Sequence, residues 1–164
     1  MTDNLIPDAG YQVFATLSEY RLAVDTVILS AQANLNVFDT DLVDMALDDS
    51  ARCELLRTFL AQGSAKRLHI VLRDVLFLQQ RAARMQRLLR DFSQQVEIRQ
   101  LAEARETDAF IYSDAGVCLY RPQHDHAKSI LTHHDHARCR LFSSRFALMF
   151  EAAEQAVSAT ILGL

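Results

Sequence analysis

The hydrophobic and polar positions of the chain fall into segments of two kinds. Some repeat apolar residues every three or four positions, as an amphipathic helix does, and others are short apolar or alternating runs typical of strands. Thr16-Leu17-Ser18-Glu19 has the composition of a capping box and predicts the start of the first helix. In order, the pattern predicts a helix at 17–34, a strand at 35–39, a helix from 48–50 to Gly63, a strand at 68–72, a helix at 77–92, a strand at 95–99, a hairpin at 109–121, a short strand at 127–132 and a last helix from Asp135 whose apolar stripe runs from Phe142 to Val157.

The hairpin at 109–121 contains the clearest turn of the sequence. Apolar residues flank Asp114-Ala115-Gly116, and glycine tolerates the positive φ that a tight reversal needs. Helix-linked strands followed by a hairpin predict an α/β fold, with a mixed β-sheet and helices packed on both faces. We expect a flexible N-terminus at 1–12 and a single domain at 13–164.

The composition is that of a globular protein with an acidic balance. Half of the 164 residues are hydrophobic, 23% are charged and the formal net charge is −4. Because this balance provides no overall basic footprint, we expect nucleic acid not to be a partner. The sequence has no apolar run of about 18 residues and no basic N-terminal region, so we expect a cytoplasmic protein without a membrane partner.

The three cysteines, Cys53, Cys118 and Cys139, lie far apart in the sequence. An odd number of cysteines without a CxxC pair is typical of reduced thiols in a cytosolic protein. Cys118 falls in a predicted strand, and no obvious His partner in the sequence accompanies Cys53 or Cys139. We therefore expect structural thiols rather than nucleophiles.

Charged residues lie directly after some of the predicted strands and directly before another. Ligand crevices form at the carboxyl ends of parallel strands, where converging carboxylates could bind a cation or a basic group. The alternative, which we favour, is that charges collect where strands meet solvent. The predicted cleft consists of Asp39, Asp41, Arg73, Asp74, Glu106 and Asp108.

A His-rich segment separates the hairpin from the last helix. Imidazole and carboxylate groups suit zinc or another divalent metal, although the spacing matches no recognised zinc signature. A site could take one ligand from the first half of the segment and one from the second, and the favoured alternative is a solvated polar loop. The candidate metal ligands are His124, His126, His133 and His136.

Four arginines recur every three residues on the predicted helix at 77–92. They are Arg81, Arg84, Arg87 and Arg90. Such a ladder could contact phosphates, but no aromatic residues are interleaved for base stacking. A solvated helix face is the favoured interpretation.

Five segments together resemble one half of the phospholipase D-like fold. They are Ala31–Asp39, Arg67–Asp74, Val96–Arg99, Phe110–Asp114 and Phe142–Glu151. Their order and spacing are most similar to a bacterial family of uncharacterised phospholipase D-like domains, and the resemblance covers residues 14–158. It implies a three-layer phospholipase D-like fold and a homodimer, because members with a single motif pair two copies to make one site.

The resemblance also implies that the chain lacks catalytic activity. Catalytic members carry His-x-Lys-x4-Asp, in which the His is the nucleophile and the Lys steadies the phosphate. The aligned residues here are Glu106, Thr107 and Asp108. His126-Ala127-Lys128 spells His-x-Lys, but it falls after the hairpin, where the family's motif does not occur.

Three functions follow from these observations. The leading hypothesis is a non-catalytic phospholipase D-like binding or scaffolding domain without a cofactor. The alternative is a metal-dependent hydrolase or phosphodiesterase that uses the His124–His136 cluster and a metal such as zinc. A third is a nucleic-acid-binding protein that uses the arginine ladder, which requires salt-dependent binding weakened by substitution of Arg84 and Arg87.

Overall fold

The computed structural model describes residues 10–157, which form one large sheet with helices on both faces. The helices are α1 (Leu17–Ser30), α2 (Ser50–Ala61), α3 (Leu76–Gln80), α4 (Ala83–Asp91) and α5 (His136–Ala152). The strands are β1 (Gln12–Phe14), β2 (Asn34–Asp39), β3 (Arg67–Leu72), β4 (Val96–Gln100), β5 (Ala109–Ser113), β6 (Cys118–Arg121), β7 (Ser129–Thr132) and β8 (Glu154–Val157).

The sheet is mixed, as the pattern predicts. Its strand order is β1-β7-β6-β5-β2-β3-β4-β8. β2, β3 and β4 are parallel, and every other pair of neighbours is antiparallel. Parallel neighbours need crossover connections, and the segments that contain α2, α3 and α4 supply them. The α/β fold class is confirmed.

Two hydrophobic cores lie on opposite faces of this sheet. Successive side chains of a strand point to opposite faces, so Val37 enters one core and Phe38 the other. Buried residues of α1, α2, α3 and α4 join the core that contains Val37. α5 covers the second face, where Phe142 and Phe146 meet Phe110.

Local signals in the sequence place several element boundaries correctly. The Thr16 hydroxyl accepts a hydrogen bond from the Glu19 amide at 3.1 Å, and Glu19 accepts from the Thr16 amide at 3.2 Å, so the predicted capping box begins α1. Asp49 caps α2. Gly116 has a φ of 80°, as the predicted turn requires.

The helix predicted at 77–92 is divided into α3 and α4, with the break at Arg81–Ala82. Side-chain contacts satisfy backbone groups that the break leaves open. Asp48 accepts a hydrogen bond from the Met85 amide at 2.8 Å in the first turn of α4. The side-chain Nε2 of Gln86 in α4 donates a hydrogen bond to the carbonyl oxygen of Leu78 in α3 at 2.7 Å.

The prediction that the last helix extends to Val157 is wrong. α5 ends at Ala152, Ala153 has extended backbone angles, and β8 follows. β8 pairs with β4. The pairing provides hydrogen-bond partners for backbone groups of β4 that would otherwise be exposed at the edge of the sheet. At the other end, Gln12 of the predicted flexible segment belongs to β1, which pairs with β7, and residues 1–9 lie outside the described residues.

Candidate functional site

The predicted cleft residues lie at the edge of the sheet where β2 and β3 end and β5 begins. β2 and β3 run in the same direction, so the residues that follow Asp39 and Leu72 share this edge. β5 is antiparallel to β2, which places Asp108, just before β5, at the same edge. Three predicted residues come together here with two residues that were not predicted. We call this group the strand-end site: Asp39, Thr40, Arg73, Asp108 and Arg145.

The Arg73 side chain joins the ends of three strands. Its guanidinium donates hydrogen bonds to the Thr40 hydroxyl, the Glu106 carbonyl oxygen and the Asp108 carbonyl oxygen. It also lies 5.0 Å above the Phe38 ring, a cation–π distance. Burial lowers the pKa of this guanidinium from its ordinary value, although Asp39 and Asp108 oppose that change. The Arg73 guanidinium is therefore held in place by hydrogen bonds to other residues of the protein.

Asp108 forms a bidentate ion pair with Arg145 of α5. Both contacts measure 2.6 Å, and Asp108 is only 6% exposed. The hydrogen bond to Asp108 is the main reason that the pKa of Arg145 is raised. Sequence reasoning missed Arg145 because the two partners are 37 positions apart and no local pattern links them. The available signal was a basic residue beside Phe142 and Phe146, at the border of the apolar stripe.

Asp39, at the end of β2, is 2% exposed, and Arg73 is the cation that acts on its carboxylate. Its carboxylate accepts a hydrogen bond from the Leu42 amide at 2.9 Å. Burial raises the pKa of Asp39 to about 6, and this effect exceeds the lowering by backbone hydrogen bonds and by Arg73. The hydrogen bond also holds Leu42, which is fully buried with a φ of 74°.

The other predicted cleft residues have local roles. Asp41 accepts a hydrogen bond from the Val43 amide at 3.0 Å, and Asp74 accepts from the Leu76 amide at 2.9 Å. Both are Asx-type contacts that shape the chain after a strand. Glu106 reaches the strand-end site through its carbonyl oxygen, with its side chain exposed.

The predicted metal ligands are separated. The Nδ1 atom of His124 lies 3.2 Å from the Thr107 carbonyl oxygen, and the Nε2 atom of His126 lies 3.6 Å from Oδ1 of Asp125. His133 packs on Gly10, and His136 packs on Gly116. Within residues 10–157, no group of three His, Cys, Asp or Glu side chains is placed to hold a metal ion. Metal binding by this segment stays a prediction, because its described histidines do not come together as a set of ligands.

The arginine ladder becomes part of a groove between α2 and α4. The groove has a volume of about 230 Å³ and is lined by Ser50, Cys53, Glu54, Arg57, Arg84 and Arg87. Arg57 pairs with Asp91 at 2.9 Å, and Arg84 lies 4.0 Å from Asp48. Arg84 and Arg87 are exposed. We call it the arginine groove.

Solved structures of other proteins share this fold. TrmBL2, described as an archaeal chromatin protein with a novel mode of DNA binding, matches with a TM-score of 0.70 and 15% identity over 94% of this chain and 57% of its own. NucT from Helicobacter pylori, a phospholipase D-like structure, matches with a TM-score of 0.65 and 11% identity over 89% of this chain and 98% of its own. At these identities the likeness shows a common fold, and this chain spans little more than half the length of TrmBL2.

The expectation that nucleic acid is not a partner is wrong, because it rested on net charge while TrmBL2, with the same fold, is described as binding DNA. Net charge averages over all faces and does not register a local group such as the arginine groove. The expected homodimer stays a prediction.

No curated protein matches this sequence. No helix within residues 10–157 is long and apolar enough to cross a membrane. A family profile described as "Domain of unknown function (DUF7931)" matches residues 16–160. The match extends over almost all of the residues that build the sheet and both helical layers, and the chain therefore belongs to the DUF7931 family.

Proposed function

We propose that this chain is a non-catalytic phospholipase D-like domain that binds nucleic acid. The observation that carries the proposal is that both arginines of the strand-end site already have hydrogen-bond partners within the chain. Phosphodiester cleavage through a covalent intermediate needs a nucleophile and cations that are free to bind the phosphate oxygens. Here Arg145 is neutralised by Asp108, and Arg73 is bonded to Thr40 and to backbone carbonyls.

The carboxylates of the strand-end site are poorly suited to replace the missing His. Asp108 is held by both of its oxygens, so attack by either would break the ion pair with Arg145. Asp39 is buried and turned toward the Leu42 amide. His124 lies beside Thr107, which makes it the residue to test as a hidden nucleophile.

The arginine groove supports the nucleic-acid part of the proposal. Arg57 comes from α2, and Arg84 and Arg87 come from α4, so two elements present cations to one surface. Within the described residues, Arg87 has no carboxylate at ion-pair distance. Its charge is therefore available to a phosphate. Glu54 also lines the groove, and its negative charge limits the expected affinity.

The binding test is fluorescence anisotropy with a short labelled DNA duplex over a range of salt concentrations. We expect salt-dependent binding, and we expect Arg84→Gln/Arg87→Gln to reduce the slope of log affinity against log salt by about two. Arg105→Gln/Arg140→Gln is the matched control, because it removes the same charge outside the groove. Equal weakening by both pairs, or no binding at low salt, would overturn the nucleic-acid proposal.

The catalytic part has a separate test, which is hydrolysis of a chromogenic phosphodiester and of plasmid DNA with and without zinc or manganese. We expect no turnover under any of these conditions. Turnover that His124→Ala abolishes would show that the domain is catalytic. Turnover that needs metal and is lost in His126→Ala would instead support the metal-dependent hydrolase.

A further inference from the structure

A second cavity lies at the opposite edge of the sheet from the strand-end site. It has a volume of about 360 Å³ and opens between the start of β2, the β5–β6 turn and the first turns of α5. Asn36 and Tyr112 line it from neighbouring strands, and His136, Cys139 and Arg140 line it from α5. The cavity has room for a small polar molecule and gives it access to a thiol.

The thiol in this cavity has a second thiol behind it. Cys139 lies in the first turns of α5, and Cys118 lies in β6 beneath that helix, in the same hydrophobic core. Cys118 stands opposite Tyr112 in the pairing of β5 with β6, and Tyr112 lines the cavity together with Cys139, so both thiols lie on the face of the sheet that α5 covers. Cys118 is fully buried and Cys139 is 9% exposed, so only Cys139 reaches the cavity.

The two sulfurs differ in their surroundings. Interaction with the other thiol lowers the pKa of Cys139, while interaction with Cys139 and complete burial raise the pKa of Cys118. A thiolate is the reactive form of cysteine toward peroxides and disulfides. The more reactive sulfur is therefore the one that lines the cavity.

We propose that Cys139 and Cys118 form a redox pair that reacts with hydrogen peroxide in this cavity. The Cys139 thiolate attacks one peroxide oxygen, the O–O bond breaks, and the departing hydroxide takes a proton to become water. The resulting sulfenic acid on Cys139 is attacked by the Cys118 sulfur, so that a disulfide forms and a second water leaves. The two thiols together lose two electrons to the peroxide, and a dithiol reductant restores them by exchange.

Cys53 is the matched control within the same chain. Its exposure of 8% is close to the 9% of Cys139, so burial alone does not distinguish the two. Cys53 lines the arginine groove on the other face of the sheet, and its thiol donates to the Leu47 carbonyl oxygen at 3.0 Å. Burial raises the pKa of Cys53 to about 11.

The experiment treats the reduced full chain with hydrogen peroxide, blocks free thiols at intervals and maps the peptides by mass spectrometry. We expect a Cys118–Cys139 disulfide that a dithiol reverses, and loss of the Cys139 thiol at least about tenfold faster than loss of the Cys53 thiol. In Cys118→Ser, Cys139 should accumulate as a sulfenic acid that dimedone labels.

The wild-type peptide map does not depend on how well any variant folds. Equal oxidation rates at Cys53 and Cys139, or oxidation of Cys139 without the disulfide to Cys118, would overturn the redox pair. Disulfides only between separate chains would overturn it as well. The test does not use nucleic acid, so it can fail or succeed independently of the proposed function.

Discussion

A single buried carboxyl group, Asp39, connects the strand-end site to the folding of the chain. Asp39 is 2% exposed, and burial raises its pKa to about 6 from an ordinary value of 3.8. The folded chain therefore holds a proton that the unfolded chain has released between these two values. Stability that is present below pH 4 is lost as pH rises through about 6.

Replacement of this carboxyl group by an amide should remove that dependence on pH. Asp39→Asn keeps an oxygen that can accept from the Leu42 amide but cannot ionise. We expect the stability of the variant relative to the wild type to rise by up to about 3 kcal/mol between pH 4 and pH 7. Urea unfolding followed by circular dichroism at several pH values measures this change.

Asp41→Asn is the control for this experiment, because it removes a charge of the same sign after the same strand. A stability difference between Asp39→Asn and wild type that stays constant with pH would show that Asp39 is ionised in the folded chain. In that case Arg73, rather than burial, would determine its state.

Residue-level predictions from the sequence succeeded where the cause is local. The predicted capping box of Thr16 and Glu19 begins α1, and its contacts span three residues. The pairing of Asp108 with Arg145 depends on how α5 lies across the sheet. The pairing of Cys118 with Cys139 depends on the same packing, so neither pair could be predicted from spacing.

At the scale of elements, the β5–β6 turn contacts both the segment before β2 and the start of α5. Asp114 accepts hydrogen bonds from the amides of Gln32 and Ala33 at 2.9 Å, which ties the turn to the segment before β2. Gly116 has a φ of 80°, and the His136 ring of α5 packs against it. A Cβ atom at Gly116 would lie 2.7 Å from the ring carbon Cε1.

Gly116→Ala should destabilise the fold by about 1–2 kcal/mol, because left-handed backbone is unfavourable for alanine. His136 is exposed, so its ring can move away and the steric contribution should be small. We therefore expect nearly the same loss when the substitution is made in a His136→Ala background. Thermal or urea unfolding of the wild type and the three variants measures both values, and a loss that vanishes without His136 would assign the effect to contact rather than to backbone.

Element boundaries were predictable where a cap or a glycine defines them, and less so where tertiary contacts do. The break between α3 and α4 is stabilised by Asp48 and by the Gln86 side chain, neither of which interrupts the apolar period of the sequence. β8 forms because β4 has an open edge, and the apolar stripe of α5 continues into it without a stop signal. A helical period alone therefore overestimated both helices.

At the scale of the whole molecule, the sheet separates two hydrophobic cores that share the same strands. Ile70 and Val71 are consecutive residues of β3, both fully buried, and they enter opposite cores. A strand cannot leave one core without leaving the other. We therefore expect the two cores to unfold in a single cooperative transition.

The three cysteines allow this to be measured on each face. Cys53 belongs to the core under α1 and α2, and Cys118 belongs to the core under α5. Pulse alkylation of the reduced chain in increasing urea, followed by peptide mapping, gives a separate unfolding midpoint for each thiol. In the wild type we expect the two midpoints to coincide.

Substitutions on the two faces of β3 then test whether the cores are coupled. Ile70→Ala should cost about 2–4 kcal/mol and Val71→Ala about 2 kcal/mol, since each removes buried methyl groups from a fully buried position. Because the strands are shared, each variant should lower the Cys53 and Cys118 midpoints by the same amount. If Ile70→Ala moved only the Cys53 midpoint, the layer under α5 would be an independent unit, and oxidation of the Cys118–Cys139 pair could then proceed by local opening of α5 instead of through the cavity.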